Sequence, residues 1–374
     1  MNASELREKC AQKLEASVEV SKNLTAFVGL DGFVDEIIHV VDKRDNAECF
    51  QRVPTIAALG ERIKAAAGKS TNIELVNQRT KLGGNGPIMA NALASFGLKV
   101  TYLGALGYPQ LHPVFQEFAQ KAEVHSIAEA GHTDALEFED GKLMFGKTTQ
   151  LNDMTWSNIQ SRFGRDQFAS KFGCSDLVGF VNWTMIPYMS DLWESLLTEL
   201  GPDIKSRRTI FFDLADPEKR NKSDISRALG IISRFEKYFD VVLGLNEKEA
   251  YEIAAVLGYD YTDRSPSGLT ALSVKISEEL KINTLVIHPV SYALAVSKGL
   301  PSLVEGPYVA RPLITTGAGD HFNSGFCLGK LLGFDNSMAV LTGVATSGYY
   351  VRTAQSPNIP QLADMMRNWP QKEQ

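Results

Sequence analysis

The stretch TTGAGDHFNSGF, residues 315–326, sets three small residues, Gly317-Ala318-Gly319, directly before an aspartate and an apolar run. Phe322, Phe326, Leu328, Leu331 and Leu332 follow Asp320 at helical spacing. The spacing predicts a loop feeding a helix N-terminus. Small residues let backbone N–H groups approach a ligand without side-chain obstruction. The free amides of a first helical turn and the positive end of its dipole suit an anion, and a phosphate chain is the natural occupant. Asp320 is the oddity there, because a carboxylate repels such a ligand. One reading makes it an ordinary helix N-cap. The other makes it the acceptor of a proton from an attacking hydroxyl, with the dipole expected to keep its pKa low. A weak base of that kind suits phosphoryl transfer, where positioning and charge stabilisation dominate.

Outward from this stretch, short apolar runs recur: LTAFVGL (24–30), VTYLGAL (100–106), DLVGFVN (176–182), TIFFDLA (209–215), DVVLGLN (240–246) and NTLVIHP (283–289). Most are followed by helical patterns such as MSDLWESLLTEL and NEKEAYEIAAVLG. Strands apolar on both faces, alternating with helices, imply an α/β fold with a mainly parallel sheet covered on both sides. SELREKCAQKLEASV puts Leu6, Cys10 and Leu14 on one helical face. Two polar, alternating regions break the rhythm. They are residues 34–53 and residues 133–149, the second a hairpin closed at Asp140-Gly141. Alternation belongs to a sheet with one wet face. The expected division is a body of residues 1–33, 54–132 and 150–374 and a small β lid of residues 34–53 and 133–149. The tail NWPQKEQ is expected to be loose.

Composition narrows the classes. A net charge of -6 leaves no basic footprint for nucleic acid. No apolar run is long enough to span a bilayer, and the start MNASELREKC has no apolar h-region. The four cysteines form no CxxC or metal-ligand cluster, which points to reduced thiols in a cytoplasmic protein. GxxxxGK[ST], G-x-S-x-G, HExxH and G-x-G-x-x-G patterns are absent from the sequence.

TTGAGDHF resembles the carboxy-terminal signature of the ribokinase (pfkB) family of carbohydrate and nucleoside kinases. Further stretches match in order. GGNGPIMANALASFG (83–97) looks like the family's amino-terminal Gly-Gly signature, and FVGLDGFVDEI (27–37) like its first strand. FFDLADPEKR (211–220) looks like the strand ending in Asp with a downstream Arg, and LNEKEA (245–250) is similar to the N-x-x-E element. The resemblance runs from about residue 25 to residue 350, nearly the whole chain.

It implies a ribokinase-like fold and an ATP-dependent kinase acting on a sugar, nucleoside or related small polyol. Asp320 would be the general base, and Gly317, Ala318 and Gly319 the anion hole. Asp31, Asp35, Gly84 and Asn85 would bind substrate. Thr315, Thr316, Asn246 and His288 would meet the nucleotide, and Asn246 and Glu249 would organise hydrated Mg²⁺ through water. The same Asn246/Glu249 pair also satisfies a helix capping box, and Asp31 also reads as a turn residue before Gly32. In relatives such lids often mediate dimers, so a homodimer through the lid is an expectation.

The sequence departs from the pattern in places. Ile314 stands where the signature has Asp, in a region that binds a monovalent cation in relatives, so potassium dependence is left open. Ile88 replaces an Asn that contacts sugar, with Asn85 and Asn91 as candidates to compensate. Gly107-Tyr108 replaces the usual Gly-Asp, and residues 288–293, HPVSYA, replace a T-x-G-x-x-G stretch on the nucleotide side. These changes support an alternative: a degenerate relative that binds a small ligand without turnover.

Overall fold

The computed structural model describes residues 2–370. Its strands are β1 (Thr25–Leu30), β2 (Phe33–Arg44), β3 (Phe50–Arg52), β4 (Leu75–Gly83), β5 (Lys99–Gly104), β6 (Glu123–Ser126), β7 (Gly131–Phe138), β8 (Gly141–Lys147), β9 (Leu177–Phe180), β10 (Thr209–Asp213), β11 (Asp240–Leu245), β12 (Thr284–Ile287), β13 (Tyr292–Ser297) and β14 (Leu300–Glu305). They form two sheets.

The larger has nine strands in the order β14-β13-β12-β11-β10-β9-β1-β5-β6. All pairings from β12 to β6 are parallel, and β13 and β14 add an antiparallel hairpin at one edge. Each apolar run named above falls on one of the parallel strands. Two large clusters flank this sheet, one around Phe168, Phe172, Phe212 and Trp193, the other around Met89, Phe211, Phe322 and Phe326. Both faces are therefore dry, which is why the strands lack alternation. The Phe211-Phe212 pair divides between the two clusters, as successive strand residues must. From β1 the chain builds β5 and β6 on one side, then returns to place β9 on the other. That reversal opens a crevice outside the carboxyl ends of β1 and β9, where ligands bind in such sheets.

The smaller sheet runs β3-β2-β7-β8, with β4 also on β2. β4 lies in a segment that the sequence pattern assigns to the body, and β2 begins one residue before the expected lid boundary. One face, with Ile38, Val40, Leu136 and Phe138, packs on Leu59 of helix Ile56–Ala65. The register sets Asp35 opposite Thr133, on the opposite face, toward the crevice.

The amino-terminal helix Ala3–Ala16 buries Cys10, Ala11 and Leu14, with Leu6 packed at the margin of the same cluster. In the tail expected to be loose, Trp369 is partly buried and the Arg7 guanidinium lies 5.2 Å from its ring centroid; residues 371–374 lie outside the described residues. Among the described residues no helix is long and apolar enough to cross a membrane.

Leu59 is the plug of the small-sheet cluster, at 3% exposure. Leu59→Ala is expected to cost roughly 2–5 kcal/mol by leaving a cavity in a core too small to collapse around it. Hydrogen exchange of residues 75–83 checks this: protection there should fall while that of β9–β11 holds. Uniform loss across both sheets would show that they unfold as one unit.

Candidate active site

The functional side chains come from the carboxyl ends of successive parallel strands: Asp31 after β1, Asn182 after β9, Asp213 on β10, Asn246 after β11 and His288 after β12. Asp31 does not line the cavity that the sequence assigned to it. Gly84, at φ 96°, is the N-cap of helix Asn85–Ser95 and has no side chain to offer. The Asp31 carboxylate takes over, accepting from the amides of Asn85 (2.9 Å) and Gly86 (2.8 Å) and from the Asn182 side chain (2.7 Å). Tyr102 donates to the Asp31 carbonyl at 2.6 Å. Complete burial pushes Asp31 up to about 6 despite these donors. Its lone pairs are spent on the scaffold, not on a substrate.

Asp35, Gly84 and Asn85 do line a cavity of about 610 Å³, with Phe33, Thr133 and Met144 from the small sheet and Thr316, Gly317 and Asp320 from the helix start. Thr316, expected on the nucleotide side, thus faces this first cavity. Asp35 is buried beside Lys81, and burial raises its pKa. Of the two residues expected to compensate for Ile88, Asn85 faces the cavity and donates from Nδ2 to Asp320 Oδ1 at 3.0 Å. Asn91 instead donates to Ser356 Oγ, 3.3 Å away.

The helix carrying Asp320 runs from Ala318 to Leu331 with Gly317 as N-cap at φ 89°. Asp320 is therefore the third helical residue and makes no cap bond, which removes the N-cap reading. Its pKa does not fall as the dipole argument expects. Burial, then repulsion from Asp213 and Asp31, raises it well above the carboxylate range, against the Asn85 hydrogen bond. The three amides of the expected anion hole are not equivalent. Ala318 N–H donates to the Thr315 carbonyl at 3.1 Å, closing the turn. Those of Gly317 and Gly319 have no partner among the described residues.

On the other side of this turn lies a second cavity of about 330 Å³, lined by Thr315, Ala318, Gly319, His288 and Asn246, with an apolar wall of Val290, Pro307, Val344 and Val351. His288 stacks obliquely on Phe322, with centroids 4.8 Å apart, and its Cε1 approaches Gly319. Burial holds its imidazole down to about 4, so it is neutral at pH 7.

Asn246 and Glu249 form the capping box in full. Asn246 Oδ1 accepts from the Glu249 amide (2.9 Å), and Glu249 Oε2 accepts from the Asn246 amide (2.8 Å). Glu249 Oε1 accepts from the Asp216 amide at 2.8 Å, and Glu249 also lines the first cavity. Asp213, which the sequence marks only as a strand end, sits nearby and accepts from Asn323 (2.7 Å) and the Ala215 amide (2.8 Å). Burial raises Asp213 to about 6; burial and then the Asp213 charge raise Glu249 to about 7. No Lys or Arg among the described residues pairs with either. Asn323 Oδ1 is buried without a partner. By contrast, the outer cluster of Asp216, Glu218 and Glu252 is filled by the Lys248 ammonium. Asn182, at φ 63°, reaches both Asp31 and the cavity. Nothing local in VNWTMIPY signals that role.

A family model for prokaryotic ketohexokinase matches residues 2–369. The chain is 28% identical over 358 residues to a ketohexokinase of Haloferax volcanii, covering 95% of this chain and 93% of that one. Among solved structures it is similar in fold to a phosphofructokinase-2 mutant from Escherichia coli (TM-score 0.65, 14% identity, 92% of this chain and 98% of that one). It is likewise similar to ribokinase of Arabidopsis thaliana (TM-score 0.62, 13% identity, 92% and 98%). The resemblance carried by the TTGAGDHF stretch and the ribokinase-like fold it implied both hold: the chain belongs to the prokaryotic ketohexokinase family of carbohydrate kinases.

Proposed function

We propose that this kinase moves the γ-phosphoryl of ATP to a hydroxyl of a ketohexose, with Asp320 as general base. The observation that carries the reading is the place of the 315–320 turn. It forms the wall between two cavities, with Thr316, Gly317 and Asp320 facing one and Thr315, Ala318 and Gly319 the other. A phosphoryl group crossing from donor to acceptor must pass this wall. The free amides of Gly317 and Gly319 meet its developing charge there. Asn85 occupies one oxygen of Asp320 and leaves the other for the acceptor alcohol. In its ionised form the desolvated carboxylate is a stronger proton acceptor than an exposed one.

Asp35 and Asn85 orient the sugar hydroxyls, and the apolar second cavity takes the nucleobase. The small sheet, contributing Phe33, Asp35, Thr133 and Met144, acts as a lid that keeps water from competing as acceptor. The cation that accompanies ATP fits the buried, unneutralised Asp213 and Glu249. Mg²⁺ would be held there through water by Glu249, Asn246 and Asp213, and when bound it neutralises phosphate charge.

Asp320→Asn is expected to lower kcat by roughly 10²–10⁴-fold while acceptor and nucleotide binding stay near wild type. Turnover of ATP with a panel of ketohexoses, other sugars and nucleosides checks this. Wild-type rates in the variant would remove Asp320 from the chemistry. Thermal stabilisation by a sugar with no phosphoryl transfer from any nucleotide would favour the binding-protein alternative.

The buried acids also set a pH dependence. Glu249 at about 7 and Asp213 at about 6 hold protons that the unfolded chain releases near pH 4. Their contribution to stability is complete below that pH and is lost as pH rises through 6 to 7. Between pH 5 and 8 this contribution should lower Tm in the absence of a divalent cation, and Mg²⁺ with ATP should recover it. Glu249→Gln should flatten the slope; an unchanged slope would show that Glu249 is not the titrating group.

A further inference from the structure

We infer that His321 and Tyr350 are positioning residues that aim the phosphoryl-binding amides, an inference that rests on the function proposed above. Both lie behind the 315–320 turn. Their rings are stacked, with centroids 3.6 Å apart and planes at 12°. Each holds one carbonyl of the turn. The Tyr350 hydroxyl donates to the Thr316 carbonyl at 3.0 Å, and His321 Nδ1 lies 2.7 Å from the Gly317 carbonyl.

A trans peptide carries its C=O and N–H in opposite directions. Drawing the Thr316 carbonyl toward Tyr350 therefore turns the Gly317 N–H the other way, away from that ring. Drawing the Gly317 carbonyl toward His321 likewise turns the Ala318 N–H to its bond with Thr315. The two side chains thus brace the peptide orientations that leave one amide free and tie the other, the Gly317 carbonyl also accepting from the His321 amide at 3.1 Å.

The hydrogen-bond chain has one consistent direction. A carbonyl only accepts, so His321 Nδ1 carries the proton. Nε2 of the neutral ring then accepts from the Ser356 hydroxyl at 2.9 Å, and Ser356 Oγ accepts from Asn91 at 3.3 Å. Tyr350 is held as a donor by burial, which pushes its hydroxyl up to about 12. Gly317 needs this restraint. At φ 89° it is a flexible residue in the left-handed region, and no side-chain cap steadies the helix start.

The experiment compares Tyr350→Phe, His321→Asn and His321→Gln in the full-length protein. The readouts are kcat and KM for D-fructose and ATP, melting temperature, and the thermal shift produced by inorganic sulfate, which needs no turnover. Tyr350→Phe keeps the stacked ring and removes one donor. It should lower kcat about tenfold, with both KM values changed by less than about twofold, and should reduce the sulfate shift. Asn places an amide N–H near the position of Nδ1, whereas Gln places one near Nε2. His321→Asn should therefore retain most of kcat, and His321→Gln should lose about tenfold or more.

A role in filling space alone predicts the reverse order, because Gln is closer to His in volume. Gln outperforming Asn, an unchanged kcat and sulfate shift in Tyr350→Phe, or a loss confined to KM would overturn the inference. If the His321 variants do not fold, Tyr350→Phe decides. Asp320→Asn separates the two levels: an active Asp320→Asn sinks the proposed function, whereas an inactive one beside an unaffected Tyr350→Phe sinks only the positioning role.

Discussion

The carboxylate of Asp31 is the fastening on which the site depends. It ends β1, caps helix Asn85–Ser95 through the amides of Asn85 and Gly86, and holds Asn182 after β9. Three segments far apart in sequence are joined at one buried anion. Charge-assisted bonds to backbone amides are short and strong, and here they replace the side chain that Gly84 lacks. The tightness of the fit shows at Gly86, where an added Cβ would meet the Tyr102 hydroxyl and the Asp31 carboxylate. Because Asn85 is fixed by its own amide, its side chain can be spent on Asp320. The position of Asp320's partner thus follows from a group that does not line the first cavity.

Desolvation governs the rest of the chemistry. Asp31, Asp213, Glu249 and Asp320 all lie near one end of the sheet, and burial is the largest cause raising each. Among the described residues no Lys or Arg pairs with Asp213 or Glu249, so burying these acids is not offset by an ammonium or guanidinium. The outer acidic cluster differs, because the Lys248 ammonium pairs with it and relieves its repulsion. The helix dipole at Asp320 is the smaller effect here. Its influence is a fraction of what full burial exerts on a carboxylate.

The parallel strands were legible because runs such as Leu24–Leu30 are apolar on both faces, and the turn at 317–319 because only small residues suit it. Strand β4 was not legible. NQRTK, inside it, is polar without alternation, and it becomes a strand by pairing with β2, where context outweighs propensity. For Asp31 the motif was visible and the role was not: the sequence shows an Asp-Gly turn, while the amides that claim its oxygens lie more than 50 residues away. Asn246 and Glu249 form the capping box that the sequence also allowed, and Glu249 still lies at the cavity edge. Tyr350 carries no local signal, because it sits within a helix that otherwise packs on its neighbours.

The division of the 315–320 turn explains how one short segment can line two cavities. With Gly317 in the left-handed region, the chain reverses direction before the helix begins, so Thr316 and Gly317 line the first cavity and Ala318 and Gly319 the second. A residue with a Cβ at position 317 would be strained there and would also crowd Ile88 and Tyr350. Ile88 therefore has a steric duty: it packs against the turn from the side of the first cavity while the Tyr350 hydroxyl holds it from behind. Three residues earlier on the same helix, Asn85 lines that cavity with its side chain on Asp320 and its backbone secured by Asp31. An apolar residue at 88 thus keeps the wall between the two cavities in place while the polar group on this helix sits one turn earlier.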